Sequence, residues 1–341
     1  LTRENIPTTR AAHLLLYCDI LSDIGTPVER EIERAGLPPN LSEMPDALVN
    51  NILATQFVGF CERLEGVEDL GWLGASHFAL PSFSNEVTDG LRSRSSLSGK
   101  MELFRALSAL EDSHLDVRVV EYGKRADLVC DMLLPTELVG MSCSEWVQLA
   151  VLIEIVRSVI GPTWTPHALN FRTAFKPARE AQAAFPDSRF RFGQARTSIT
   201  IDSDLLECCS FEIAGDKNGL SAPENFCQIE TLKQLIRPYL LTAPPPIDLL
   251  ADMVDSSARS FQRWLLANGT SYRKLVNETR GEMAKEMLAD EDMSLIQVAM
   301  YLGYENQSNF GRSFKKTTGV SPAMYRKGIN KTKTYQGLMP A

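Results

Sequence analysis

What most constrains this 341-residue chain is a repeat near its C-terminus. "ADMVDSSARSFQRWLLANGTS" (Ala251 to Ser271) aligns with "AMYLGYENQSNFGRSFKKTTGVS" (Ala299 to Ser321). Ala251 matches Ala299, Phe261 matches Phe310, Arg263 matches Arg312 and Leu265 matches Phe314, while Gly269 with Ser271 matches Gly319 with Ser321. Each copy reads as a helix, a tight turn, a second helix and a glycine stop. In the second copy Leu295, Val298, Ala299 and Leu302 make one apolar face. Gly303 then supplies the positive φ that a sharp turn needs. Asn306 is placed to cap the following helix and Gly319 to end it, with Ser257 as the matching cap in the first copy.

The second helix of each copy has an inner and an outer side. Phe310 and Phe314 lie at i,i+4 and anchor one helix; Phe261 and Leu265 anchor the other. At about 100° per residue, Ser308, Arg312, Lys315 and Lys316 then point outward with Asn309 flanking. In the first copy Arg259 and Arg263 point outward, flanked by Ser260 and Gln262. A DNA major groove admits one α-helix, where Arg reads guanine and Asn or Gln reads adenine. The competing reading is the solvated face of an ordinary helical bundle. Two copies with matching outward arginines favour readout of double-stranded DNA.

Overall charge argues the other way until the chain is divided. The net charge is −8, but Ile247 to Ala341 carries 13 Lys and Arg against 10 Asp and Glu, or +3. The remainder holds 22 against 33, or −11. That asymmetry predicts a basic binding module attached to an acidic body. The apolar fraction of 44% and charged fraction of 23% are those of an ordinary globular protein. The longest apolar stretch, "WVQLAVLIEIVRSVI", is interrupted by Glu154 and Arg157 and reads as a buried helix rather than a membrane span. Periodicity leaves it as either core or a dimer seam through Val151, Ile155 and Val159. The first residues lack the pattern of a signal peptide. Seven cysteines, an odd number without any C-x-x-C, read as reduced thiols of a cytoplasmic protein. None of the four histidines pairs with a cysteine at ligand spacing, so neither a metal nor another cofactor is expected.

Before the repeat, residues 10–110 read as helices with Gly/Pro punctuation. The period then changes: "HLDVRVVEYGKRADLVCDMLL" alternates on both sides of Gly123 and predicts a hairpin. A helix over 145–160 follows, then "HALNFRTAF", a short helix at "PAREAQAAF", and strand-like "RFRF" and "TSITI". The organisation predicted is an α+β regulatory and dimerisation domain over 1–213 and a linker over 214–227. An all-α DNA-binding domain over 228–330 and a tail over 331–341 complete it.

"SSARSFQRWLLANGTSYRKL" and "LIQVAMYLGYENQSNFGRSFKKTTGVSPAMYR" resemble the two helix-turn-helix units of the AraC/XylS family of bacterial transcription regulators. The resemblance implies seven helices, with a long helix near Ser271 to Leu288 joining the two units, and insertion into two successive major grooves. By position it implies contacts from Arg259, Gln262 and Arg263 in the first unit and from Gln307, Ser308, Asn309 and Arg312 in the second. Gln307 rests on the resemblance, since its angle lies nearer the buried side. Asp255 stands where the first turn usually has Gly, a departure expected to loosen that unit. "AGLPPNLSEMPDALV" and "AAFPDSRFRFGQARTSITIDSDLL" resemble the arabinose-binding-type regulatory domain of part of the family. Together these imply a sequence-specific regulator without catalytic activity, working as a homodimer. Its further partners would be a small-molecule effector, whose contact residues are not assigned, and RNA polymerase.

Two other classes compete. A cysteine-based alkyl-transfer repair enzyme would need a Cys beside a base, and no Cys here has a His within three residues. An interaction protein would use the same helical faces to bury a partner. Among single residues, His77, Phe78, Cys208 and Cys209 are expected to be ordinary packing, and Arg125 and Arg172 to form surface ion pairs.

Overall fold

The computed structural model describes residues 6–63, 67, 69–209, 228–290 and 292–336. The described residues divide into two compact units, one made of 7–209 and the other essentially of 228–336. The expected linker, Cys227 and the end of the tail lie outside the described residues.

The N-terminal unit opens with strand β1 (Thr8–Arg10) and helices α1 (Ala11–Asp23) and α2 (Val28–Arg34). Strand β2 (Leu48–Asn50) pairs antiparallel with β1, Thr8 facing Asn50. Helices α3 (Asn51–Glu62), α4 (Leu70–His77), α5 (Asn85–Ser93) and α6 (Leu97–Leu107) follow. Side-chain oxygens of Asn50, Ser84 and Ser96 cap α3, α5 and α6, satisfying one orphan N–H at each start. The alternating stretch forms the expected hairpin of β3 (Leu115–Tyr122) and β4 (Arg125–Met132). Tyr122 faces Arg125, so Gly123 at φ 64° and Lys124 make a two-residue turn.

Helix α7 (Met141–Ile160), strand β5 (Ala168–Asn170), helix α8 (Arg179–Ala184) and strands β6 (Arg189–Arg191) and β7 (Ser198–Asp202) complete the unit. The five-stranded sheet has the order β3-β4-β7-β5-β6, parallel between β5 and β6 and antiparallel elsewhere. Helix α7 is apolar nearly all round because it packs on β4 and β7 as well as on α3 and α4. Leu149, Leu152 and Ile155 are fully buried, and Val151 also belongs to this core. Of the two readings of this helix, core holds for Val151 and Ile155, which the unit's own interior occupies, while Val159 is half-buried at its edge. Helices α3 and α7 meet at glycines. A Cβ on Gly59 would lie 2.2 Å from the Gly140 nitrogen, and one on Gly140 would lie 2.0 Å from the Thr55 carbonyl oxygen.

Single-residue expectations fare unevenly. Phe78 is core, whereas His77 is exposed with Nδ1 2.8 Å from the Leu73 carbonyl. Arg125 forms the expected exposed pair with Asp202 at 3.0 Å. Arg172 does not: it is mostly buried and donates to Asp131 at 3.2 Å and to the Met132 and Leu134 carbonyls. Cys208 is half-buried and Cys209 exposed, so neither fills the core.

The C-terminal unit contains seven α-helices among the described residues: α9 (Gln228–Ile236), α10 (Ile247–Met253), α11 (Ala258–Ala267), α12 (Tyr272–Leu288), α13 (Leu295–Tyr301), α14 (Gln307–Thr318) and α15 (Pro322–Gln336). Helix α12, capped by Ser271, is the central strut, packing on α9, α13, α14 and α15.

Candidate nucleic-acid interface

The two repeats fold into α10–α11 and α13–α14, and their turns close in the same way. In the first, Asp255 N donates to the Asp252 carbonyl at 3.0 Å and Ser256 N to the Ala251 carbonyl at 2.9 Å. In the second, Gly303 N donates to Met300 at 3.0 Å and Tyr304 N to Ala299 at 2.9 Å. Asp255 takes φ 52° and Gly303 takes φ 72°, so the aspartate enters the left-handed region that glycine enters freely. The expected looseness of the first turn is absent from its hydrogen bonds.

Caps and anchors fix the second helix of each unit. Ser257 Oγ accepts from Ser260 N at 3.3 Å at the start of α11. Asn306 Oδ1 accepts from Asn309 N at 2.8 Å at the start of α14, which Gly319 ends at φ 83°. Phe261 and Leu265 are fully buried under α11, and Phe310 and Phe314 under α14. Ring contacts tie α14 to its surroundings: Tyr304 to Phe310 at 5.6 Å and Phe314 to Tyr325 at 5.5 Å.

The outer faces carry the expected residues. Arg259, Gln262, Arg263, Gln307, Ser308, Arg312, Lys315 and Lys316 are exposed, while Ser260 and Asn309 are half-buried. Gln307 corrects its helical-wheel placement: as the first residue of α14 it projects before the helix packs. Ser260 and Asn309 are engaged locally, Ser260 Oγ with Ser257 Oγ at 3.1 Å and Asn309 Oδ1 accepting from Arg312 Nη2 at 2.7 Å. That bond orients the Arg312 guanidinium without neutralising it.

Charge is distributed unevenly over this unit. Lys233 pairs with Glu282 at 2.7 Å, and Arg237 pairs with Glu286, placing two cations of the α9 side against carboxylates of α12. Arg259, Arg263, Arg312, Lys315 and Lys316 form no ion pair with a described carboxylate. Their charge is available to an external anion. Lys315 and Lys316 also sit in the last turn of α14, where the helix dipole favours cations.

Two family models match the chain. Residues 250–328 match a family model described as a helix-turn-helix domain. Residues 25–209 match the arabinose-binding domain of AraC transcription regulators, N-terminal. The chain is 23% identical to the HTH-type transcriptional regulator VirS of Mycobacterium tuberculosis, over 93% of this chain and 96% of that one. The ornithine utilization regulator of Pseudomonas aeruginosa is 34% identical over 100 residues, 28% of this chain and 30% of that one. Among solved structures, the transcriptional regulator CdpR of Pseudomonas aeruginosa aligns over 93% of this chain and 98% of its own, with 17% identity and a TM-score of 0.43. With one family model spanning more than half of its residues and another spanning the doubled helix-turn-helix, the chain belongs to the AraC-type DNA-binding transcription regulators.

Proposed function

We propose that α11 and α14 enter two successive major grooves on one face of a DNA duplex. Arg259, Ser260, Gln262 and Arg263 serve the first groove. Gln307, Ser308, Asn309 and Arg312 serve the second, with Lys315 and Lys316 on phosphate. The observation that carries the reading is the duplication itself. Two short helices are backed by buried anchors, entered through turns with the same hydrogen bonds, and faced with unpaired arginines. The protein then works in the cytoplasm without catalysis. Residues 1–213 dimerise it and sense a small molecule, 214–227 join the parts, and 228–330 hold DNA for communication with RNA polymerase.

The alkyl-transfer alternative lacks support. Burial pushes the Cys18 thiol up to about 12 and the Cys61 thiol up to about 11, and raises Cys130 and Cys143 as well. These are poor nucleophiles at neutral pH.

Hydroxyl-radical footprinting on duplexes selected from genomic DNA tests the groove reading. Two protected elements about one helical turn (~10.5 bp) apart on one face are expected. Protection of a single groove segment would show that only one helix is engaged.

A further inference from the structure

We infer that the N-terminal unit contains a ligand site between α1, α3, α7 and the β3–β4 hairpin, fitted to a compact, uncharged, largely apolar molecule with one head group that both donates and accepts hydrogen bonds, such as a primary carboxamide. It rests on the reading of this unit as the effector-sensing part.

These elements line a cavity of about 80 Å³. That is several times the roughly 10–15 Å³ a single water needs, which is room for a small ligand. Leu14, Val58, Phe83, Phe104, Val147 and Val151 supply apolar wall. Most polar groups on the wall are already engaged. Tyr17 OH donates to the Cys143 carbonyl at 3.1 Å, and Thr55 OH to Asn51 Oδ1 at 3.2 Å. The Asn51 amide donates to Asp112. Glu111 Oε1 accepts from the Ser84 amide and hydroxyl at 2.8 and 2.6 Å. Its Oε2 accepts from Arg10 at 2.8 Å and meets His13 Nε2 at 2.9 Å.

Gln148 is the exception. It lines the cavity from α7 and is only 3% exposed, yet neither its Oε1 nor its Nε2 has a partner among the described residues. His13 Nδ1 is likewise buried and unpartnered. Buried amides are rarely left unmet at both ends, because each unmet group forfeits its bonds to water. A primary carboxamide answers Gln148 at both atoms, accepting from Nε2 and donating to Oε1.

Charge narrows the class. The guanidinium of Arg10 is held by Glu111, Asp46 and the Ser82 carbonyl, so it is not free for an anion. Glu111 and Asp112 already place two carboxyl groups on this wall, so a further carboxylate would meet like charge with the nearby guanidinium already committed. A carboxylate therefore fits badly. So does a pentose, which brings a hydroxyl on nearly every carbon to a wall with three unmet polar atoms.

The test uses full-length, DNA-free protein with isobutyramide, isobutyrate and L-arabinose as probes, read by calorimetric titration and by thermal unfolding. Isobutyramide is expected to bind one per chain and to raise the melting temperature. The other two should bind at least roughly tenfold more weakly. Gln148→Leu should weaken isobutyramide at least roughly tenfold while raising the melting temperature of the ligand-free protein, because it removes an unmet amide. Should that variant not fold, Ala54→Leu, which fills the cavity from α3, must abolish binding. No isobutyramide binding at millimolar concentration would overturn the site and assign Gln148 to water alone. Binding indifferent to both variants would place the ligand elsewhere. Tighter binding of isobutyrate or arabinose would overturn the ligand class. A protein that protects its DNA but ignores isobutyramide refutes this site alone; one that binds the amide but no DNA refutes the groove reading alone.

Discussion

Arg312 and Lys316 share one helix face but should fail in different ways when removed. Arg312 is oriented by Asn309 at 2.7 Å, and a fixed guanidinium can take guanine bidentately. Arg312→Ala is expected to cost about 1–3 kcal/mol and to relax preference at particular base pairs. Lys316→Ala should weaken all duplexes alike and flatten the salt dependence. Quantitative binding to an operator and its point variants across a salt series separates the two. Unchanged affinity and selectivity in Arg312→Ala would mean that α14 is not the reading helix. In the N-terminal unit, Glu111 and Asp112 are neighbours that titrate in opposite senses. Burial pushes Glu111 up, but hydrogen bonds from His13, Ser84 and Arg10 outweigh it and hold the carboxyl at about 2. Its stabilisation is present above about 4.5 and lost as pH falls towards 2. Asp112 is raised from 3.8 to about 6 by burial, so its contribution is present below 3.8 and lost as pH rises through 6. Asp112→Asn should remove that loss. Between pH 4 and pH 7 the wild type should give up on the order of 3 kcal/mol relative to the variant in urea unfolding. Parallel pH profiles for the two proteins would show that folding leaves the Asp112 pKa unshifted.

Each helix-turn-helix unit is specified within a window of about twenty residues, and such local chemistry is legible in the sequence alone. The caps Ser257 and Asn306, the Gly319 stop and the anchors Phe261, Leu265, Phe310 and Phe314 all occupy their expected positions. Gly303 offers a clean measure of the turn. A Cβ there would come no nearer than 3.8 Å to the Leu240 and Thr242 carbonyl oxygens, so Gly303→Ala meets no steric obstacle beyond its own backbone. The variant should lose about 1–2 kcal/mol of stability from the left-handed φ alone. A urea midpoint equal to that of the wild type would show that the turn has relaxed out of that region. Elsewhere legibility fails for identifiable reasons. Strands β1 and β2 are three residues each, too short to display a period of two. A helical wheel alone sets Gln307 nearer the buried side, because it ignores that a first-turn residue projects beyond the packed face. Arg172 reads as a surface cation because its carbonyl partners, at Met132 and Leu134, are nearly forty positions away. The cavity was invisible for the same reason. His13, Asp112 and Gln148 share no local motif, and only the approach of α1, α7 and the segment leading into β3 brings them to one wall.

At the scale of the whole molecule the charge division sets the requirement. The C-terminal part carries only +3, so its electrostatic attraction to phosphate is modest, while a body of −11 is repelled. On the proposed dimer, pairing two DNA-binding units through the N-terminal part would offset this, because the second contact would become effectively intramolecular. Such a dimer would need a surface other than the Val151–Ile155 side of α7, which the core already covers. A truncated chain beginning near Gln228 retains all seven described C-terminal helices and both turns, so its own groove contacts should survive. It should be a monomer that binds a full operator at least roughly tenfold more weakly than the intact protein, with little loss on a half-site. Sedimentation equilibrium gives the oligomeric state, and titration of full and half operators gives the affinity ratio. If the intact chain is monomeric at micromolar concentration, or the truncated form holds the full operator equally well, dimerisation is not its route to affinity. The acidic N-terminal unit would then influence DNA only through what it binds.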